Sequence, residues 1–448
     1  MSAPALRKSL GSFEFFTFGF GSMVGVGWLV VMDDWLGRGG PIGAALGFLV
    51  GTILLLPIAR TYGRLVQEIP DAGAEIAYTE RVFPRFVSFA SGWVMVLAYA
   101  IVCPWEAAAI GNLLARIIPS MNALPLYAVA GKVITAPRLI AGLGLTAVIA
   151  GVNYRGVRLS GRFQDVTTLG LLACFVVFVV LGFAHGDAEN VAPWFARTGG
   201  AGALVSVVLV AQIVPYFMTG FEAVAKASEE ARPDFDPRQF GRAITFAVSA
   251  GGAFYVVIIL AVAWVLPWRE LVQGHLGTEQ AFARAFGSLA IARLILAAAF
   301  LSLFKVCNGN FVAATRLLLS LGRRRLVPPT LGAVHPRRGT PWVAIASLAA
   351  LTASGAFLGD AVLVPITEVG ALAAGVGWCA ACLACVAKER RNGLAWSGVV
   401  VSLAIILMKV IPSVPGSFTG SEWVALGTWC GLGLAFWMLG KAADARAS

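Results

Sequence analysis

Charge is what this sequence has least of. Only 13% of its 448 residues are Asp, Glu, Lys or Arg, against about a quarter in an average soluble domain. With 58% of the residues hydrophobic, a soluble fold of this length would lack the polar surface to cover its core. Histidine is scarcer still: His185, His275 and His335 are the whole supply, all in predicted loops. Seven cysteines are scattered, six of them in apolar stretches, and imply no disulfide framework. Cys379, Cys382 and Cys385 have the spacing of metal ligands. They fall in a run that reads as a helix inside the bilayer with no histidine near, so they read as small apolar residues on a helix face. No metal or other cofactor is expected. Without a nucleotide loop, a buried histidine or a metal cluster, an intramembrane enzyme is disfavoured. A cleavable signal peptide is missing too, because Met1–Leu10 is short, basic and polar. The first span can act as the targeting signal.

Long apolar runs are what the chain has instead, among them Ile42–Ile58, Leu169–Phe183, Phe254–Leu266 and Val343–Ala356. Their mildly polar, glycine-containing flanks extend most of them to the roughly 20 residues a spanning helix needs. A membrane span must satisfy its own backbone hydrogen bonds, and the runs lack the alternation of a barrel, so the chain reads as all-α. The net charge of +11 follows topology. Basic residues cluster in every second connection: Arg7 and Lys8; Arg60, Arg64, Arg81 and Arg85; Arg155, Arg158 and Arg162; Arg232, Arg238 and Arg242; Arg323 to Arg325 with Arg337 and Arg338; Lys388, Arg390 and Arg391; Lys441 and Arg446. This positive-inside alternation puts both termini in the cytoplasm and requires an even number of spans. It implies a multi-pass protein of the cell membrane whose large partner is the lipid bilayer, and no nucleic-acid partner.

The runs and their flanks give twelve helices. Helices 1 to 5 cover residues 12–36, 41–66, 86–114, 137–153 and 163–184; helices 6 to 10 cover 203–229, 242–266, 287–321, 340–357 and 362–387; helices 11 and 12 cover 395–411 and 421–440. Helix 1 contains Gly19, Gly21, Gly25 and Gly27, and helix 6 contains Pro215 and Gly220. An interior glycine costs a helix around 1 kcal/mol and a proline about 3. Irregular backbone at membrane depth survives only where it is buried in protein or lines a cavity. The two breaks fall five spans apart, the arrangement that points to a binding site at an inverted-repeat interface. Close helix packing at small residues is the alternative.

Those residues resemble the amino acid–polyamine–organocation (APC) transporter superfamily. Gly21–Gly27 resembles its glycine-rich helix 1 motif, and Pro70–Tyr78 the segment before its helix 3. Tyr216–Glu222 with Glu229–Pro233 resembles its helix 6 break and acidic exit, and Asn308–Arg316, Leu326–Pro328 and Thr340–Pro341 its helix 8 to 9 region. The resemblance runs from about residue 10 to 390. It implies a single transporter domain of the LeuT/APC-type fold. Residues 12–184 and 203–387 would form a five-plus-five inverted repeat, with 395–440 as accessory helices. It also implies alternating access around a site between helices 1, 3, 6, 8 and 10.

The chemistry of the breaks agrees with that site. A break at Ser22–Gly27 leaves free amides at the positive start of the outer half of helix 1, a receptor for a carboxylate. The expected donors are the amides of Val24, Gly25, Val26 and Gly27, with Ser22 as a candidate side-chain donor and Met23 beside it. A break near Tyr216–Gly220 leaves carbonyls, at the negative end of an inner segment, for an ammonium group, with Phe217 and Thr219 beside them. Tyr216 is the expected aromatic lid, or else an interfacial packing residue. Glu222 follows the break, in the first turn of the outer half of helix 6, as a structural or proton-sensing carboxylate. Glu229 and Glu230 are expected to pair with loop arginines.

Lys305 is a lone charge in the apolar run of helix 8, three residues before Asn308, and intramembrane charges are functional by default. In sodium-coupled relatives of this fold helices 1 and 8 hold a sodium ion, and some sodium-independent relatives place a lysine from helix 5 there. Helix 5 has no lysine here, so Lys305 is expected to supply that cation, as a fixed or protonatable charge; a pair with a structural carboxylate is the alternative. Glu106, Glu368, Asp33 and Asp34 are acids near the presumed path, the last two also placed to sit at the water interface. Facing the path, Asp33, Asp34 or Glu368 would favour cationic amino acids or polyamines. Trp28 stands where relatives usually have a smaller aliphatic residue, and Arg64 where many have an acid. The expected function is sodium-independent transport of an amino acid or related amine, proton-coupled or by exchange, by a monomer or homodimer. A membrane amino-acid sensor is the reading from another class.

Overall fold

The computed structural model describes residues 6–129, 131–274, 278–359, 363–414 and 417–445. His275 and Arg446, used above for loop and charge placement, lie outside the described residues. Among the described residues the fold is all-α apart from one hairpin, and ten helices are long and apolar enough to cross a membrane. Helix 1 is in pieces, Ser12–Met23 and Gly27–Val30, and then continues from Met32 into helix 2, the whole stretch Met32–Glu68 turning at Gly40. Pro41 follows that turn, where a first-turn proline has no N–H to lose. Helix 9, Trp342–Ala356, has only 15 residues.

Helix 3 is Arg85–Ala100 continued by Val102–Ile117, helix 4 is Ala136–Arg155 and helix 5 is Val157–His185. Helix 5 starts six residues before the expected boundary at 163, because Arg158 and Arg162 are exposed on its first turns and read as loop in the sequence. Long cationic side chains at a helix end keep their heads in water while their stems stay on the apolar surface. Helix 7 is Arg238–Val265, helix 8 Leu289–Arg323, helix 10 Leu363–Lys388, helix 11 Gly393–Val410 and helix 12 Gly420–Ala445. Two short helices, Trp268–Gln273 and Thr278–Phe286, join helices 7 and 8.

The hairpin pairs Pro125–Val129 with Lys132–Thr135 in the connection between helices 3 and 4. It was not expected: Tyr127, Val133 and Ile134 are strand formers, but the segments are too short to stand out beside membrane spans.

Burial sorts the helices. Of the apolar stretch of helix 8, 78% is buried, against 17% for helix 12, so helix 8 lies at the centre and helix 12 at the periphery. Outward-facing positions are apolar, as at Val166 (68% exposed) and Val424 (70%), which lipid solvates as well as protein would. Several buried polar side chains, among them Ser22, Thr219, Glu222, Ser302, Lys305 and Asn310, belong to helices 1, 6 and 8.

Candidate functional site

Helix 1 stops at Met23 and restarts at Gly27, so its irregular residues are Val24, Gly25 and Val26. Stopping a helix exposes carbonyls on one side and amides on the other. Here side chains from helices 7 and 8 take up the carbonyls. Lys305 Nζ donates to Gly21 O at 3.1 Å and to Val24 O. Ser302 Oγ donates to Val24 O (3.2 Å), Asn310 Nδ2 to Ser22 O (3.3 Å), and Tyr255 Oη reaches Met23 O (3.2 Å). All four carbonyls from Gly21 to Val24 are therefore occupied. The amides behave differently. Val24 N–H donates to Phe20 O at 3.0 Å, which removes it from the expected carboxylate receptor. Among the described residues, the amides of Gly25, Val26 and Gly27 have no backbone acceptor, Gly25 facing the Tyr255 hydroxyl.

Helix 6 runs as Gly199–Ala211 and Val214–Met218, breaks at Thr219–Glu222, and resumes as the short Ala223–Lys226. Gly220 has φ 125°, a backbone conformation that only glycine adopts cheaply. It also touches the other break: a Cβ on Gly220 would stand 2.7 Å from the Ser22 carbonyl carbon. On the far side of the break Phe217 lies against helix 1, and a Cβ on Gly27 would stand 2.5 Å from its ring. Tyr255 of helix 7 spans both, its hydroxyl reaching Phe217 O at 3.4 Å as well as Met23 O.

The structure brings together Met23, Gly25, Val26, Gly27, Phe217 and Gly220 and assigns other tasks to several expected residues. Ser22 Oγ donates to Phe18 O at 2.6 Å and Thr219 Oγ1 to Pro215 O at 2.8 Å, so both hydroxyls are spent within their own helices. Tyr216 faces Gly370 of helix 10, while Phe217 is the ring over the helix 1 break. Asn308 is saturated: Oδ1 accepts from Asn153 Nδ2 and Ser160 Oγ, both at 3.0 Å, and Nδ2 donates to Gln164 Oε1 at 2.8 Å. It ties helix 8 to helices 4 and 5. Asp34 is exposed and paired with Arg38 at 2.7 Å, the water-interface placement. Glu368 is held by Lys409 of helix 11. Glu106 is buried with its Oε1 toward Gly25.

Glu222 needs a correction of side. The segment that follows the helix 6 break leads to Glu230, whose carbonyl accepts the Ser9 and Leu10 amides, and to the Leu10–Ala231 bridge. Glu222 thus begins the half of helix 6 next to the chain's N-terminus, which is the inner and not the outer half on the cytoplasmic placement expected from the basic clusters. By the same direction, the carbonyls left by the break end the segment before it. Glu222 Oε2 accepts the Gly220 amide at 3.2 Å, and Lys226, Tyr99 and Trp378 approach its carboxylate.

Lys226, Glu75 and Tyr62 escaped sequence reasoning, and the arginine partners expected for Glu229 and Glu230 come from helix 8. Lys226 Nζ meets Glu75 Oε1 at 2.5 Å, Tyr62 Oη donates to the same carboxylate, and both charges are fully buried. Glu230 is held by Arg316 at 2.8 and 3.1 Å, again fully buried and from within helix 8 rather than from a loop. Glu229 pairs with Arg323, the last residue of that helix. A charge in an apolar run is the only signal such pairs leave, and it names one partner at a time.

The match to known proteins covers nearly the whole chain. Residues 15–410 match the family model described as amino acid permease. The methylthioribose transporter of Bacillus subtilis (strain 168) is 24% identical over 98% of this chain and 94% of its own length. The branched-chain amino acid permease BcaP of the same organism is 23% identical over 92% of this chain and 84% of its own. Its serine/threonine exchanger SteT is 26% identical over 77% and 76%. With a family model spanning both helix breaks, the buried lysine and eleven of the twelve expected helices, the chain belongs to the amino acid permease family, a family of multi-pass membrane transporters and not of enzymes.

Proposed function

We propose that this chain carries an α-amino acid across the cell membrane by alternating access, with its substrate between the breaks of helices 1 and 6 and without sodium. One observation carries the reading: the carbonyls of Gly21 to Val24 are all occupied by helices 7 and 8, while the amides of Gly25, Val26 and Gly27 are left without backbone acceptors. Only the positive side of the helix 1 break stays available, and it suits a carboxylate. The carbonyl end of Val214–Met218 lies across from it, in contact through Phe217 and Gly27, and suits the ammonium on the same α-carbon.

Lys305 supports the sodium-free part of the proposal, since its ammonium sits where a metal cation would bind the same carbonyls. Coupling is then to protons or to the return of a second amino acid. The five-plus-five repeat of 12–184 and 203–387, and cytoplasmic termini set by the basic clusters, belong to the same reading. Neutral amino acids fit better than cationic ones or polyamines, because Arg38 and Lys409 already answer Asp34 and Glu368. The methylthioribose transporter, matched over 98% of this chain, supports a second reading, in which the cargo is a neutral thiosugar with neither charged group.

Competition tests the binding mode. Amino acid methyl esters and N-acetyl amino acids are expected to compete at least tenfold more weakly than the parent compound for labelled substrate in proteoliposomes. Equal competition by the esters would remove the carboxylate from the helix 1 amides. Gly220→Ala forces a side chain into φ 125° and against Ser22. It is expected to destabilise the fold by about 1–3 kcal/mol and to lower substrate affinity. A thermal melt and a binding isotherm together check this.

A further inference from the structure

A second, unrelated site lies at the cytoplasmic end of helices 2 and 7. The helices approach so closely there that a Cβ on Gly63 would stand 2.7 Å from Gly241 Cα. Beside the crossing, a groove of about 550 Å3 is lined by Arg60, Arg64 and Gln67 on one side and by Arg238, Arg242 and Phe246 on the other. Arg64 is engaged by Glu68 at 3.4 Å and Glu389 at 2.7 Å. Among the described residues Arg60, Arg238 and Arg242 make no ion pair, and all three are exposed. Three unanswered guanidiniums around one groove form a receptor for a phosphate group, whose oxygens fit their planar donor forks.

We propose that this groove binds one anionic phospholipid of the cytoplasmic leaflet, with its phosphate among Arg60, Arg238 and Arg242. The apolar surface next to the arginines selects a lipid over a free anion. On helix 2, Leu46, Leu49, Val50, Ile53 and Leu54 are exposed at helical spacing, with Ile53 54% exposed, on the stretch leading to Arg60. From Leu49 to Arg60 is eleven residues, about 16 Å along the axis, and one leaflet contributes about half of a 30 Å hydrocarbon core. On helix 7 Phe246, 61% exposed, lines the groove one turn from Arg242. A headgroup at the arginines thus leaves its acyl chains lying along apolar side chains of matching length. Basic pockets between spans on the cytoplasmic side are suited to such headgroups.

The test uses the full chain, delipidated in a non-ionic detergent. Its thermal melt is followed with added phosphatidylglycerol, phosphatidylcholine or inorganic phosphate, alongside native mass spectrometry to count retained lipid. Phosphatidylglycerol is expected to raise the wild-type melting temperature and to be retained as one molecule. Phosphatidylcholine and inorganic phosphate are expected to do neither. The triple variant R60Q/R238Q/R242Q should lose more than half of the shift and the retained lipid. The variant R155Q/R158Q/R162Q, neutralised at another basic cluster, should keep both. Equal responses from the wild type and the first triple variant would overturn the proposal. So would a full wild-type shift with inorganic phosphate alone, which would make the occupant a free anion.

Discussion

Lys305→Met is expected to lower substrate exchange at least tenfold in a protein that still purifies as a folded, monodisperse species. The lysine is fully buried, and its ammonium is a donor to the carbonyls of Gly21 and Val24 at the helix 1 break. Methionine fills similar space but donates nothing. A buried carbonyl left unmet costs about 1–3 kcal/mol, and each 1.4 kcal/mol is a factor of about ten in an equilibrium. Ser302 still serves Val24 O, at 3.2 Å, so Gly21 O bears most of the loss. The deficit falls on the conformation in which helices 1 and 8 are joined, and therefore on turnover more than on folding. Lys305→Arg is not expected to rescue it, because the larger guanidinium has no room in a site with no exposed surface. Exchange by Lys305→Met at the wild-type rate, with unchanged pH dependence, would remove Lys305 from the transport cycle.

Arg316→Met is expected to be among the most damaging changes to stability at the charged residues. Arg316 and Glu230 are both fully buried and joined by two hydrogen bonds. Removing one partner leaves the other charge without compensation in a low-dielectric interior, which costs about 3–5 kcal/mol. Replacing both with apolar residues should be far milder, since no charge is then stranded. The neighbouring Arg323–Glu229 pair provides the contrast. Its side chains are 30% and 26% exposed, so water already screens it, and Arg323→Gln should change stability by no more than about 1 kcal/mol. Melting temperatures of the two single variants and of the Arg316/Glu230 double variant test the ranking. Equal losses from Arg316→Met and Arg323→Gln would show that burial does not set the worth of these pairs.

The helix breaks were legible in the sequence because glycine and proline announce them locally. Gly25 and Gly27 located the first to within a residue or two, and Gly220 lies in the second. The helices were legible for the same reason: apolar length is a local property, and the ends furthest from expectation, at Val157, Gly199, Arg238 and Ala445, lie in polar or glycine-rich flanks. What was not legible depends on direction or on distant partners. Which half of helix 6 Glu222 begins was not legible, because a break reads the same from either side until the chain is followed past Glu230 to the Leu10–Ala231 bridge. Lys226 and Glu75 are 151 residues apart, and nothing local in either segment names the other. Sequence left Asp34 between the water interface and the path, and Glu368 near the path, for want of their partners. Arg38 is one turn away and could have been paired by i,i+4 spacing, but Lys409 comes from another helix. Ser22 and Thr219 were assigned to substrate by residue type, whereas a hydroxyl in a membrane helix readily bonds the carbonyl one turn back.

Counterflow in sodium-free proteoliposomes tests the central claim most directly. Vesicles holding the wild-type protein are loaded with a mixture of unlabelled amino acids, polyamines and methylthioribose, and each labelled compound is offered outside in turn. The account predicts accumulation of one or a few neutral α-amino acids, unchanged when sodium is added and abolished in vesicles without protein. Accumulation confined to methylthioribose, or strict dependence on sodium, would contradict it.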